Sequence, residues 1–215
     1  MAKAIDADTH VDETEETWEY LLASEQEFKP VVGYPSNPDP KRLTQKFWVI
    51  QGDRQPRLSR DDKRTQTTVG TRELMDVAAR LKDMDAIDVE THVMYPTLFL
   101  VQPTPNAEAD VALKRAYNRW LGDRSEQSGG RLRWVCLPPL MNMEEAKNEM
   151  RWSKEHGAVG VFKKGNREAE HNITDSYFDE FWQEANDLEM PVCMHIGSGI
   201  PNTRENRTDG DTRGP

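Results

Sequence analysis

From Ile5 to Val11 polar and apolar positions alternate with a period of two. Read as a strand, Ile5, Ala7, Thr9 and Val11 share one face, and Asp6, Asp8 and His10 share the other. The next stretch changes period. Trp18, Leu21 and Leu22 make the apolar stripe of a short helix over Thr14 to Phe28. Lys29 to Arg42 is rich in Pro, Gly, Asn and Asp and reads as a loop. Phe47-Trp48-Val49-Ile50 is a compact β-type run that meets Gly52-Asp53 and a basic return through Arg60, which suggests a small hairpin. The excursion over about 29–70 is too long for an ordinary connection. It fits a lid or binding loop, and equally a plain insertion.

Beyond it the pattern becomes regular. Helical spacing over Arg72 to Met84, Ala107 to Ser125, Met143 to His156 and Ser176 to Leu188 alternates with short apolar, β-rich runs. Five strands are expected, near 4–11, 87–95, 132–137, 158–163 and 191–196. Strands alternating with amphipathic helices imply parallel pairing through right-handed crossovers. The fold class is α/β, and both an open doubly wound sheet and an incomplete (β/α)8 TIM-type barrel fit the count. In either, chemistry gathers at the C-terminal ends of the strands. Residues 1–199 read as one domain carrying the insertion, and 200–215 as a polar tail.

Composition narrows the function. The net charge of -10 argues against nucleic-acid and acidic-membrane partners. No apolar run is long enough to span a membrane, and no basic-then-apolar leader opens the chain, so a cytoplasmic location is expected. Cys136 and Cys193 sit in apolar runs and read as reduced core residues. No P-loop, Gly-x-Gly-x-x-Gly or Cys-x-x-Cys is present.

Asp8 and His10, side by side at a strand end, place an oxygen and a nitrogen donor together, which suits zinc or manganese. Alone, the segment reads equally as a solvated polar edge strand. His195, after Pro-Val-Cys-Met and before Gly-Ser-Gly, reaches the same end of the sheet from the fifth strand. Three donors converging from two separate strands form the pattern of a catalytic metal site. Glu13 is a candidate partner orienting a ligand, or a helix-start carboxylate. Lys163 and Lys164 at the fourth strand's end suit an anionic substrate or a solvated loop. His92 reads as a satisfied structural histidine, His156 as a helix C-cap and His171 as solvent-exposed.

The ordered motifs resemble the amidohydrolase-related family, which includes aminocarboxymuconate-semialdehyde and γ-resorcylate decarboxylases. They are Asp6-Ala7-Asp8-Thr9-His10-Val11-Asp12-Glu13 with Trp18, Leu81-Lys82-Asp83-Met84-Asp85, Met94-Tyr95-Pro96-Thr97, Ala116-Tyr117-Asn118, Arg131-Leu132, Leu137-Pro138-Pro139-Leu140, Gly157-Ala158-Val159-Gly160-Val161 and Pro191-Val192-Cys193-Met194-His195. The resemblance implies a metal-dependent (β/α)8 barrel, with Asp8, His10 and His195 at three ligand positions. An acidic residue at the first position resembles the decarboxylase-type members. The sequence departs from the family after the fifth strand. A histidine on the sixth strand and an aspartate on the eighth have no counterpart before Pro215, and neither Asp209 nor Asp211 lies in a strand-like context.

The expectation is a hydrolase or non-oxidative decarboxylase using one divalent ion (Zn or Mn) on a small carboxylate, aromatic or not. Trp48, Lys163 and Lys164 are candidate substrate contacts, and the Phe47–Ile50 hairpin a cover for the site. Without the aspartate the chain alone is expected to be weakly active or inactive. The rival expectations are a catalytically incomplete subunit that pairs with itself or is completed by another chain, and a metal-free small-molecule binder.

Overall fold

The computed structural model describes residues 3–37, 46–57, 62–165 and 167–195. The Gly197-Ser198-Gly199 turn, the tail at 200–215 and parts of the insertion (38–45 and 58–61) lie outside the described residues. In chain order come β1 (Ala4–His10), two 3-10 helices (Glu15–Tyr20 and Ala23–Phe28), β2 (Val31–Gly33), β3 (Phe47–Ile50) and β4 (Asp53–Pro56). Then follow α1 (Asp62–Thr65), α2 (Val69–Arg72), α3 (Val77–Ala86), β5 (Val89–Tyr95), a 3-10 turn (Leu98–Leu100) and α4 (Ala107–Glu126). The chain continues through β6 (Leu132–Cys136), α5 (Met143–Glu155), β7 (Ala158–Lys164), a 3-10 turn (Ser176–Phe178), α6 (Asp179–Asp187) and β8 (Val192–His195).

The five expected strands pair in parallel in the order β1-β5-β6-β7-β8, so β1 and β8 are the two edges. In a flat sheet, four spacings of about 4.8 Å would hold those edges about 19 Å apart. Instead, the Nε2 atoms of His10 on β1 and His195 on β8 stand 3.2 Å apart. The sheet is therefore curled, and the fold is an incomplete (β/α)8 barrel, close to half of one. Its helices pack outside and the first and fifth strands face each other across the interior.

Burial follows this layout. On β6, Leu132, Trp134, Val135 and Cys136 are buried, whereas Ala4 to Asp8 on β1 are exposed. The helix α4 turns Ala109, Leu113, Ala116, Tyr117 and Trp120 inward. Asn106 starts it by accepting from the amides of Glu108 and Ala109, and Asn142 does the same for α5 through Glu145. Gly160 on β7 lets β8 approach closely. A Cβ there would lie 2.8 Å from the Cys193 sulfur and 2.9 Å from the Pro191 carbonyl oxygen.

The local structure departs from the periodicity in three places. Thr14 to Phe28 is two 3-10 helices, because Leu21 and Leu22 turn extended (ψ 139 and 158) and Glu25 accepts from the Leu22 amide to restart the second. Arg72 to Met84 is broken by Leu74 at φ 49, and α3 starts afresh at the Asp76 cap. The hairpin is part of a three-stranded antiparallel sheet, because Val31–Gly33, within the expected loop, pairs with β3. Gln51 and Gly52, at φ 49 and 87, form the turn between β3 and β4.

This small sheet docks on the β5–α4 connection. Gln55 donates to the Pro103 carbonyl at 2.9 Å, and Thr104 to the Gln51 side chain at 2.7 Å. Among the described residues, no helix is long and apolar enough to cross a membrane.

Candidate metal centre

The first donors come from the end of β1. Its register against β5 slips between Asp6 and Thr9, and the Asp8 amide bonds to the Asp6 carboxylate at 3.1 Å. Such an irregularity re-aims neighbouring side chains. His10, the last residue of β1, pairs with Tyr95 across the ladder. Its Nδ1 lies 2.7 Å from the Pro96 carbonyl oxygen, which only accepts, so Nδ1 carries the proton. In the neutral ring Nε2 is then a bare acceptor.

His195 arrives from the opposite edge, and the three donors form a triangle. Asp8 Oδ1 lies 3.7 Å from His10 Nε2 and 3.4 Å from His195 Nε2, and the two imidazole nitrogens are 3.2 Å apart. A point equidistant from these corners lies about 2.0 Å from each, which matches zinc–imidazole and zinc–carboxylate bonds of about 2.0–2.2 Å. One oxygen and two imidazole donors also suit manganese. The residues thus fit a divalent ion in number, chemistry and spacing. Asp8 is the open side of the triangle, with its side chain 72% exposed against 22% for His10.

Tyr95 and Phe162 wall the imidazoles. The Tyr95 ring centroid is 6.1 Å from that of His10 and 5.7 Å from that of His195, and Phe162 lies 6.1 Å from His195. Burial, with a Cys193 hydrogen bond, pushes the Tyr95 phenol above its ordinary range, so it keeps its proton. Neither aromatic was singled out from the sequence. The available signal was position: Tyr95 ends β5 just before Pro96, and Phe162 stands two residues before the end of β7.

Glu13 is buried, and its two oxygens accept from the amides of Thr97 and Leu98 at 3.0 and 2.8 Å. It anchors the turn whose Pro96 carbonyl holds His10. Burial, partly offset by these bonds, raises its pKa to about 8. Trp48 is 1% exposed, edge-on to Trp18 at 5.7 Å, with the Arg57 guanidinium 4.4 Å above its ring. That packing joins the insertion to the first 3-10 helix.

Lys163 is fully buried, 3.2 Å from Glu168 and 3.9 Å above the Phe178 ring. Lys164 pairs with His195 across the β7–β8 ladder and reaches toward Gln102 and Glu168. Burial lowers both lysine pKa values against the opposing pull of Glu168.

The other histidines are structural. His92 is buried, accepts from Arg80 Nε at 3.2 Å, and is pushed down to about 4 by burial and that guanidinium. His156 caps α5 and stacks on Trp152. His171 is half-buried rather than exposed, because its ring stacks on Tyr177 at 3.9 Å beside Asp175. Both cysteines are free, Cys136 buried and Cys193 half-buried.

A curled parallel sheet with donors converging at its C-terminal end defines a partial (β/α)8 barrel with a candidate metal site. The amidohydrolase family pattern Amidohydro_2 matches residues 5–211, and the chain belongs to that family. Among its relatives, γ-resorcylate decarboxylase of Rhizobium radiobacter is 27% identical over 135 residues, 60% of this chain and 41% of that protein. An amidohydrolase of Mycobacterium avium subsp. paratuberculosis K-10 shares the fold at a TM-score of 0.68 and 19% identity, over 92% of this chain and 58% of that one. The 5-carboxyvanillate decarboxylase of Novosphingobium aromaticivorans DSM 12444, solved with manganese and 4-hydroxy-3-methoxy-5-nitrobenzoic acid, superposes at 0.59 and 16% identity. That match covers 90% of this chain and 50% of that one. The chain thus spans about two fifths of its curated relative and about half of its structural neighbours.

Proposed function

We propose that the chain is a metal-dependent non-oxidative decarboxylase or hydrolase of a small aromatic carboxylate, with one zinc or manganese ion held by Asp8, His10 and His195. The observation that carries this reading is the donor triangle, whose centre lies one metal–ligand bond, about 2.0 Å, from each atom. Relatives that decarboxylate hydroxybenzoates, one of them solved with manganese, support it. When bound, such an ion polarises a substrate oxygen or a water.

The chain's own residues do the rest. The Pro96 carbonyl keeps the proton on His10 Nδ1, so Nε2 presents its lone pair to the centre. Asp8 supplies negative charge from the open side. Tyr95 and Phe162 offer ring faces to an aromatic substrate and narrow access for water, and the Tyr95 hydroxyl remains a donor. Lys164, which ends β7 beside His195, supplies positive charge for the substrate's carboxylate.

Metal analysis after dialysis against Mn(II) or Zn(II) tests this reading. About one equivalent per chain is expected in the wild type and none in His195→Ala. A wild-type chain that retains no ion would overturn the proposal.

A second reading, in which the half-barrel works within a larger assembly, is favoured by the exposure of its edge strands. Ile5 on β1 is 66% exposed and Met194 on β8 is 48% exposed. Sedimentation would show a dimer or larger species under that reading, and a monodisperse monomer would contradict it.

A further inference from the structure

Among the described residues, five ionic side chains lie buried together around the end of β7, and three ammonium groups face two carboxylates. Lys114 pairs with Asp110 at 3.1 Å and Lys163 with Glu168 at 3.2 Å. Lys164 is the third ammonium against these two carboxylates. All five residues are less than a tenth exposed. A surplus charge in such a place is costly unless an opposite charge meets it.

Lys164 is also the least satisfied of the three. Among the described residues its Nζ reaches Gln102 Oε1 at 3.4 Å and Glu168 Oε1 at 3.8 Å. A well-made ammonium–oxygen bond measures about 2.7–2.9 Å. The other Glu168 oxygen, Oε2, is taken by Lys163 Nζ and the Lys164 amide. Lys164 is the ladder partner of His195 and lies two residues after Phe162, which puts all three on one face of the sheet.

Gln102 ties this lysine to the insertion. Its amide nitrogen donates to Asp110 at 2.8 Å and to the Thr104 carbonyl at 3.0 Å. Pro103 and Thr104 in turn hold Gln55 and Gln51 of the small sheet.

We propose that Lys164, rather than Lys163 or Trp48, anchors the carboxylate of the substrate, and that Gln102 is the positioning residue that keeps its ammonium turned toward that anion. The insertion then acts as a buttress for the anion subsite through the 102–104 segment. This rests on the carboxylate-substrate reading above and deepens it.

The test compares binding of 2-hydroxybenzoate and its uncharged analogue 2-hydroxybenzamide to the full chain by calorimetry, with and without Mn(II). The wild type is expected to prefer the benzoate at least tenfold. Lys164→Met should abolish that preference and leave benzamide binding unchanged, whereas Lys164→Arg should keep most of it. Gln102→Leu should reduce the preference about threefold. Lys163→Met should lower the melting temperature and leave the preference intact.

If Lys164→Met does not fold, the Arg and Gln102 variants carry the test. A merely structural lysine would weaken both ligands alike, and that result overturns the proposal. So does a wild type without preference for the benzoate. Failure of Mn(II) binding alone would overturn the metal reading, while the metal-free preference still decides the role of Lys164.

Discussion

The middle and the edges of the sheet are built from opposite materials. On β6, Trp134, Val135 and Cys136 are buried to completion, and α4 and α5 cover that strand. On β1, Ala4 to Asp8 are exposed, and on β8 Met194 is open to solvent. Yet His10 and His195, two of the three donors, end these edge strands. The middle supplies curvature and cohesion. The edges, which contribute little burial, meet across the interior because the middle bends. Stability and chemistry are therefore separable, and substitutions should divide accordingly.

Trp134→Ala should have the largest effect on folding, a loss of about 3–5 kcal/mol in a urea melt, as expected for emptying a large buried aromatic site. A loss below about 1 kcal/mol would mean that the middle is not the cohesive region.

Glu13 belongs with the middle although it follows an edge strand. Its folded pKa of about 8 lies above the ordinary 4.5. Between those values the folded chain holds a proton that the unfolded chain releases. Its stabilising contribution is complete below the lower value and is lost as pH rises through the upper one, by a total on the order of 3–5 kcal/mol. Melts at several pH values on the wild type and Glu13→Gln check this. The variant should lack that component of the pH slope, and parallel profiles would refute the assignment.

At the edges, His195→Ala should weaken Mn(II) binding about a hundredfold or more, equivalent to about 2.7 kcal/mol. It should move the unfolding midpoint of the metal-free chain little. A large destabilisation without loss of metal would reverse the division proposed here.

Gly160→Ala sits between the two regions. Its new Cβ would press on Cys193 and the Pro191 carbonyl. It should cost about 1–3 kcal/mol as an overpacked contact and displace β8 enough to weaken metal binding. A variant that loses stability but keeps full affinity would show that His195 tolerates movement of its strand.

Much of this division was legible in the sequence. The strands announced themselves as short apolar runs between amphipathic helices, and the parallel topology followed. Asp8, His10 and His195 could be grouped because parallel strands share one functional end. The remainder depends on tertiary partners. Leu21, Leu22 and Leu74 interrupt helical spacing where buried neighbours and caps decide the backbone. The pairing of Val31–Gly33 is set by β3, across the insertion.

The burial of Lys163 and Trp48, both candidate substrate contacts in the sequence, depends on partners the sequence does not announce: Glu168 across a turn, and Trp18 and Arg57. Tyr95 and Phe162 look like ordinary strand residues until the curl brings their rings to the imidazoles. Gln102 likewise gains meaning only beside Lys164.

The central claim is that two edge strands of one curled sheet hold a single ion between them. Anomalous diffraction from crystals of the chain soaked in Mn(II) tests it most directly. The account predicts one manganese peak about 2.0–2.2 Å from Asp8 Oδ1, His10 Nε2 and His195 Nε2, with His10 Nδ1 still on the Pro96 carbonyl. A peak elsewhere, or an empty triangle in crystals that bind manganese at other sites, would contradict it.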